Sequence, residues 1–473
     1  MSPSWQIDCL RARVDSLAAE ISRVKEKDHP YPEPNAIYAA LLDVVSNRAV
    51  RFENAVKLYS TSDRSRILQD ETALVANQLD RITDLFGLVD RVDSSRIPFE
   101  ILRALSWAAT ALLSENCRAV VRLDGAYNYS ITSCRARFAE FGWTKAWAKA
   151  TVAFSKDQPF TILILGFPSA HAGSILLHAL SAHELGHQLL NRYVGEFERV
   201  REEAVSAGKA KHLGLLTEFI DDNIRRREGV RPKDSHAEAS RHVEALLGKL
   251  ADDWLGELFA DLVAATLVGP AFLAAFDEIA LERTTASLSH PPGSLRRHLV
   301  REYLQERVPA VASDPAWVRV FEVPDEASDL LFGPRVEDGD TNKPLYEVGQ
   351  TICRAGLAGL SRVLSKLSSP LRISDLETLV DKLERYIENL APPSSAFPAS
   401  RNTESDDFWL LMYSAWHFRL SGGRFDRFKE RHGLDDATAE HAIGNLLVHS
   451  LQSIELRHRW NEANMPREQK GEA

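Results

Sequence analysis

Cysteine is scarce in this sequence, because the 473-residue chain has only four and no two of them form a CxxC pair. A chain of this length with so few cysteines is not a disulfide-framework protein. We expect reduced, buried thiols, and a bridge between Cys117 and Cys134 is the less favoured alternative. The other two cysteines are Cys9 and Cys353.

Long apolar runs are also absent from the sequence. No run approaches the roughly 20 residues needed to span a bilayer, and the longest candidate is interrupted by Gly166, Pro168, His171 and Gly173. The first residues, MSPSWQIDCLRARVDSL, lack the basic region followed by an apolar region that marks a secretion signal. We therefore expect a soluble, cytoplasmic protein.

Positive charge is in deficit, with 57 basic against 67 acidic residues and a net charge of -10. This balance gives no general attraction to nucleic acid or to anionic lipid, so we expect neither nucleic acid nor membrane as a partner. One basic run, RRREGVRPK at 225–233, lies in a charged region. A solvated loop or lid is a better interpretation of this run than a phosphate-binding patch.

Hydrophobic periodicity predicts a mainly α protein of several domains with a small β-sheet near its centre. The predicted regions, in chain order, are a helical N-terminal region at 1–115, a central domain at 116–305 with a charged helical insert at 196–249, a helical extension at 306–390, a linker at 391–407, a C-terminal helical region at 408–460 and a disordered tail at 461–473.

The first helix carries apolar residues at alternating spacings of three and four, from Ile7 to Val24. This seam predicts an amphipathic helix packed on its own domain, and a dimerising coiled coil is the alternative.

Two stretches after residue 115 predict strands. Asp124-Gly125 lies between two β-rich runs and indicates a hairpin, while 151–166 resembles two more strands joined at a polar turn. The run FTILILG within it fits either an edge strand that could bind an extended peptide or a buried core strand.

Two histidines flank a glutamate in SAHELGHQLL, residues 181–190. Side chains four apart share one face of a helix, so His183 and His187 can direct ring nitrogens at one ion. Zinc bound in this way needs a third protein ligand and keeps a position for water, from which Glu184 would remove a proton. Composition gives roughly 0.04 HExxH matches by chance, so the stretch predicts a metal site.

Burial predicts the third ligand. A Glu can bind the metal from an E-x-x-x-D segment on a second helix, where the Asp orients a ligand histidine. Such segments begin at Glu218, Glu257 and Glu377, and about 2.4 are expected by chance. Only WLGELFADLVAATLVG surrounds its acids with apolar residues, where unpaired carboxylates would be costly. We therefore predict Glu257 as a metal ligand and Asp261 as its supporting residue.

In this order, HELGH, ELFAD and SHPPGSLRR (289–297) resemble the signature of gluzincin zinc metallopeptidases similar to the CAAX prenyl endopeptidase and HtpX-like families. The resemblance covers 150–301 and implies that 116–305 is a zincin-like catalytic domain. It also implies that His290 and Arg296 lie near the metal and assist the transition state, and a positioned cation facing the developing oxyanion suits the chemistry. Those families are usually embedded in membrane and lack the long insert, so their substrates are not carried over.

The leading prediction is a zinc-dependent endopeptidase that acts on a peptide or protein substrate. Its cofactor would be Zn²⁺, with a zinc-bound water activated by Glu184 and the tetrahedral intermediate stabilised by His290 or Arg296. One alternative is a regulatory protease similar to the ImmA/IrrE group, although no helix-turn-helix module is evident. Another is a noncatalytic scaffold with a structural metal site. The presence of Glu184 disfavours this alternative, because a structural site needs no base.

Overall fold

The computed structural model describes residues 3–26, 33–59, 65–91, 97–124, 129–154, 160–169, 173–228, 232–280, 289–321, 343–397 and 404–464. Backbone contacts divide the chain into two compact units, Met1–Gly173 and Ser174–Ala473. The boundary falls inside 116–305, the range predicted as one domain. The strands and the HELGH helix therefore belong to different units.

The first unit combines helices with one small sheet. Its elements are α1 (Pro3–Lys25), α2 (Glu33–Tyr59), α3 (Ser65–Asp90), α4 (Phe99–Leu113), β1 (Cys117–Asp124), β2 (Ser130–Ser133), α5 (Cys134–Glu140), α6 (Thr144–Phe154) and β3 (Thr161–Pro168).

The seam of α1 packs inside the first unit. Helices α1, α2 and α3 contact one another, and their buried apolar side chains form one cluster with residues of α6 and of the sheet. From α1 this cluster includes Leu10, Val14, Leu17, Ile21 and Val24. The interpretation of α1 as a helix packed on its own domain is confirmed.

The sheet has the strand order β1-β3-β2, with β3 parallel to β1 and antiparallel to β2. The predicted hairpin is wrong, because β3 lies between the two strands that it would have joined. All eight residues of β3 are buried, as expected for an apolar strand with a neighbour on each side. The edge-strand interpretation of FTILILG is therefore also wrong, and the buried-strand alternative is confirmed.

Of the two strands predicted at 151–166, the first is wrong. Residues up to Phe154 complete α6, in which Trp147, Ala150 and Thr151 are buried at helical spacing. The turn predicted after them, including Pro159, lies outside the described residues.

Helices joined by short turns form most of the second unit's described residues. Its helices are α7 (Ser181–Leu190), α8 (Val194–Glu228), α9 (Pro232–Val268), α10 (Ala271–Ala280), α11 (Gly293–Arg307), α12 (Pro309–Ala312), α13 (Val318–Phe321), α14 (Lys343–Val363), α15 (Leu376–Glu388), α16 (Glu404–Leu420), α17 (Gly422–His432) and α18 (Asp436–Asn464), with 3-10 turns at Ile175–Leu180, Pro315–Trp317, Leu364–Lys366 and Pro393–Ala396.

Helix α9 is the centre of the second unit. It contacts α7, α8, α10, α11, α14 and α16, and nearly every side chain from Trp254 to Val268 is buried. Being enclosed on several sides explains why this part of the helix is apolar all round. Any carboxylate in it must therefore find a partner within the protein.

Two C-terminal segments differ from the predicted boundaries. The predicted linker begins with the turn Pro393–Ala396, which packs on α15 and α18 and buries Ser394 and Ala396. Helix α18 continues to Asn464, and 465–473 lies outside the described residues.

The aromatic run of α16 packs in the core, because Phe408, Trp409, Trp416 and Phe418 are all buried.

The mainly α class with one small sheet is confirmed by this architecture. Among the described residues, no helix is both long and apolar enough to cross a membrane.

Candidate metal centre

The HELGH motif lies on α7, which follows a 3-10 turn that is buried along its length. His183 and His187 project from one face of α7, and their rings meet edge to face with centroids 4.7 Å apart. The Nε2 atoms of the two rings are 3.1 Å apart. Each histidine therefore directs its Nε2 atom at the same point.

Helix α9 places a carboxylate at that point, as the sequence predicted. One oxygen of Glu257, Oε2, lies 3.5 Å from Nε2 of His183, and the other, Oε1, lies 3.5 Å from Nε2 of His187. Among the described residues, these three side chains form the one group of donor atoms that could hold a metal ion. The rival glutamates Glu218 and Glu377 are both exposed.

The two helices meet closely because of a glycine inside the motif. A Cβ placed on Gly186 would lie 2.7 Å from the backbone Cα of Ala260. No side chain fits there without moving α7 away from α9. Gly186 therefore sets the distance between the histidines and Glu257.

The donor atoms lie close enough together for one zinc ion to contact all three side chains. In a tetrahedral site with bonds of about 2.0–2.1 Å, neighbouring ligand atoms lie about 3.3 Å apart. The two Nε2 atoms are 3.1 Å apart, and each lies 3.5 Å from a different oxygen of Glu257. Two imidazoles and one carboxylate also form the donor set of catalytic zinc sites that keep a position for water. The residues present therefore fit a divalent metal ion.

Asp261 supports the first histidine from one helical turn beyond Glu257. Its Oδ1 atom lies 2.9 Å from Nδ1 of His183, and the carboxylate is fully buried. Because Asp261 contacts Nδ1, Nε2 of His183 is directed toward Glu257 and His187. A histidine that binds a metal commonly has such a carboxylate at its other ring nitrogen. The predicted pairing of Asp261 with a ligand histidine is present.

Arg296 of α11 is buried behind these groups, with 4% of its surface exposed. Its guanidinium donates two hydrogen bonds to Asp261, from Nε at 2.7 Å and from Nη2 at 2.5 Å, and Nη1 lies 3.7 Å from Oε2 of Glu257. These contacts position Asp261 and neutralise its charge. The role at the oxyanion that the resemblance implied for Arg296 stays a prediction.

His290 lies at the exposed side of the centre. Its Nε2 atom is 3.6 Å from Oε1 of Glu257, and the opposite nitrogen, Nδ1, is 2.9 Å from the hydroxyl of Ser289. More than half of the His290 side chain is exposed. Of the two residues predicted to assist the transition state, His290 is therefore the one that a substrate can reach.

Burial and charge separate the pKa values of the histidines. Burial alone would lower the pKa of His183, but contacts with Asp261 and Glu257 outweigh it and raise that pKa to about 10. For His187, burial and the charge of His183 lower the pKa to about 4. His187 is therefore neutral at pH 7, which is the state that binds metal, whereas His183 would release a proton when a metal binds.

The carboxylates respond to the same surroundings in opposite ways. Although burial opposes ionisation of Glu257, its contact with His183 and the charges of His183 and Arg296 outweigh burial and hold its pKa well below the usual range. Burial raises the pKa of Glu184 to about 7. A carboxyl group with a pKa near neutrality can accept a proton and return it.

Two aromatic residues next to the centre were not found from the sequence. The ring of Phe272 stacks on His183, with centroids 5.9 Å apart and planes 6° apart. The guanidinium carbon of Arg296 lies 4.5 Å from the centroid of the Phe276 ring. Their spacing of four in an apolar helix indicated burial alone.

The chain combines an HELGH helix, a glutamate from a second helix and a supporting aspartate at one buried point. Comparisons of the chain with protein-family models, with curated proteins and with solved structures gave no match.

Proposed function

We propose that this protein is a zinc-dependent endopeptidase of the gluzincin type, with a zincin-like catalytic core. The observation that supports it best is the convergence of His183, His187 and Glu257, with donor atoms within 4.8 Å of one another. Glu184 lies between the two histidines on the same helix, where a base for hydrolysis is needed.

The bound ion would supply Lewis acidity, polarising the substrate carbonyl and making a nearby water a better nucleophile. Glu184 takes a proton from the attacking water as the new C–O bond forms. The same carboxyl group then gives that proton to the leaving amine as the C–N bond breaks, so it returns to its first state.

The exposed ring of His290 is placed to act on the substrate. An Nε2–H group there can donate a hydrogen bond to the carbonyl oxygen as it gains negative charge. The hydroxyl of Ser289 can donate to Nδ1 of this ring, which leaves the proton on Nε2. Arg296 has a supporting role through Asp261.

The donor set favours zinc over magnesium and calcium. Two imidazole nitrogens with a single carboxylate suit Zn²⁺, whereas Mg²⁺ and Ca²⁺ prefer a shell of oxygen ligands. A structural zinc site usually fills all four positions with Cys and His, whereas the described residues supply three donors here.

The test separates metal binding from catalysis. Glu184→Gln should keep the metal content of the purified protein, measured by elemental analysis, and abolish cleavage of a mixed peptide library read by mass spectrometry. Glu218→Gln is the matched control, because Glu218 is exposed on α8, and it should leave both unchanged.

Three results would contradict the proposal. If the wild-type protein retains no metal after zinc supplementation, it has no ion for catalysis. Full cleavage by Glu184→Gln would show that Glu184 is not the base. A wild-type protein that retains zinc but cleaves no peptide would favour the noncatalytic scaffold.

A further inference from the structure

Helix α10 packs against the candidate metal centre because of the turn that precedes it. Gly269 ends α9 with a positive φ of 62°, and a Cβ there would lie 2.8 Å from Cδ1 of Leu371. The chain then reverses, and α10 begins at Ala271. This turn brings Phe272 and Phe276, which are one helical turn apart, to the side of the centre.

Phe272 restrains the plane of the His183 ring. Asp261 contacts this ring at Nδ1, and the ring's contacts with Glu257 and His187 are at Nε2, so contacts at these two nitrogens leave the ring able to rotate about the line that joins them. Phe272 is fully buried and lies nearly parallel to the ring, at a separation typical of offset aromatic stacking. A pivot of His183 would break this stacking.

Phe276 restrains Arg296 in the same way. Its ring lies under the guanidinium, where a desolvated cation gains more from an aromatic face than it would in water. The two phenylalanine rings also contact each other, with centroids 6.4 Å apart. Contacts thus run in a closed circuit from Phe272 to His183, Asp261, Arg296, Phe276 and back to Phe272.

We propose that Phe272 and Phe276 are positioning residues, which hold His183 and Arg296 so that Nε2 of His183 stays directed at the metal. The inference rests on the metal binding of the proposed function but not on hydrolysis. Groups that orient a ligand histidine typically contribute 10-fold to 100-fold to metal affinity. We expect an aromatic face to contribute in this range.

The experiment uses the full chain and measures the Kd for Zn²⁺ by competition with a chromophoric chelator. The visible spectrum of the Co²⁺-loaded protein reports the ligand geometry. Phe272→Met preserves much of the side-chain volume and removes the planar face, and Phe276→Leu removes the ring under Arg296. Each should weaken zinc binding by about 10-fold or more and change the cobalt spectrum.

Two matched variants control for loss of packing. Phe276→Tyr keeps the aromatic face at a partly exposed position and should bind zinc as the wild type does. Phe428→Leu removes a buried ring that packs on Phe418 and His432, not on His183 or Arg296, and should also leave the Kd unchanged. If Phe272→Met does not fold, the two Phe276 variants decide alone.

The inference is overturned if Phe276→Leu binds zinc with the wild-type Kd and cobalt spectrum. It is also overturned if Phe428→Leu weakens binding as much, because the effect would then come from general loosening of the core. A wild-type protein that binds neither ion contradicts the proposed function itself, and this outcome is seen before any variant is made.

Discussion

Two buried histidine–carboxylate clusters of the second unit use their ring nitrogens differently. In the candidate metal centre, one nitrogen of His183 contacts Asp261, and the other faces both Glu257 and His187. In the second cluster, carboxylates contact both nitrogens of one histidine. We call it the His417 cluster, and its members are His417, Asp314, Glu384 and Arg424.

The His417 cluster leaves neither nitrogen of its histidine available to a metal. Nε2 of His417 lies 2.9 Å from Asp314, and Nδ1 contacts Glu384. Arg424 pairs with the second oxygen of Glu384. Burial and a raised histidine pKa are therefore common to both clusters, and convergence of donor atoms is what distinguishes a site from a structural ion-pair network.

The largest expected difference comes from neutralising one glutamate in each cluster. Glu257→Gln replaces a carboxylate ligand by an amide and should weaken zinc binding by more than about 100-fold, beyond the range of supporting residues. Glu384→Gln should leave the Kd for zinc unchanged and lower the free energy of unfolding, because His417 and Arg424 lose a buried partner.

Chelator competition and urea unfolding measure these two effects. Equal zinc affinity in Glu257→Gln and the wild type would show that the carboxylate is not a ligand. A loss of zinc in Glu384→Gln would show that the two clusters are not independent.

The His417 cluster should also give the protein a pH-dependent stability. Burial alone would lower the pKa of His417, but Asp314 and Glu384 outweigh it and raise the pKa to about 9. A raised pKa stabilises the folded state fully below the unfolded value of about 6.5, and this stabilisation is lost as the pH rises toward 9. Its size is on the order of 3 kcal/mol.

The measurement compares the metal-free wild type with His417→Gln in urea at pH 6 and at pH 9.5. The difference between them removes the contribution of other groups, including His183. It should be largest at pH 6 and small at pH 9.5. A difference that stays constant across this range would show that His417 does not gain its proton on folding.

The grouping of His183, His187, Glu257 and Asp261 could be predicted because its signals are local. His183 and His187 are four residues apart, which suffices to place them on one helical face. Glu257 and Asp261 stood out because ionised groups in an apolar helix need partners. Both rules act within one helix, so neither required knowledge of the tertiary structure.

Features that depend on distant segments could not be predicted in this way. Strand β3 inserts between β1 and β2, and nothing in the Asp124-Gly125 turn signal records that a later strand would take the place of the partner. His417 lies in an aromatic run, and its partners Asp314, Glu384 and Arg424 come from three other segments with no regular spacing. Phe272 and Phe276 have the spacing of any core helix.

The smallest expected effect tests how the metal centre is assembled. Gly186→Ala should force α7 away from Ala260 and lower the free energy of unfolding by about 1–3 kcal/mol, as overpacking does, while weakening zinc binding. Gly214→Ala is the matched control, because that exposed position on α8 has no atom within 4 Å of an added Cβ. It should stabilise the protein by about 0.5–1 kcal/mol, as alanine does in a helix interior.

The same pair of variants separates the two clusters. Urea unfolding and the Kd for zinc should change together in Gly186→Ala, because the histidines of α7 move relative to Glu257. The pH dependence that comes from His417 should stay as in the wild type, because none of its partners lies on α7. If Gly186→Ala binds zinc normally and gains stability as Gly214→Ala does, close contact between α7 and α9 is not what brings the three donors together.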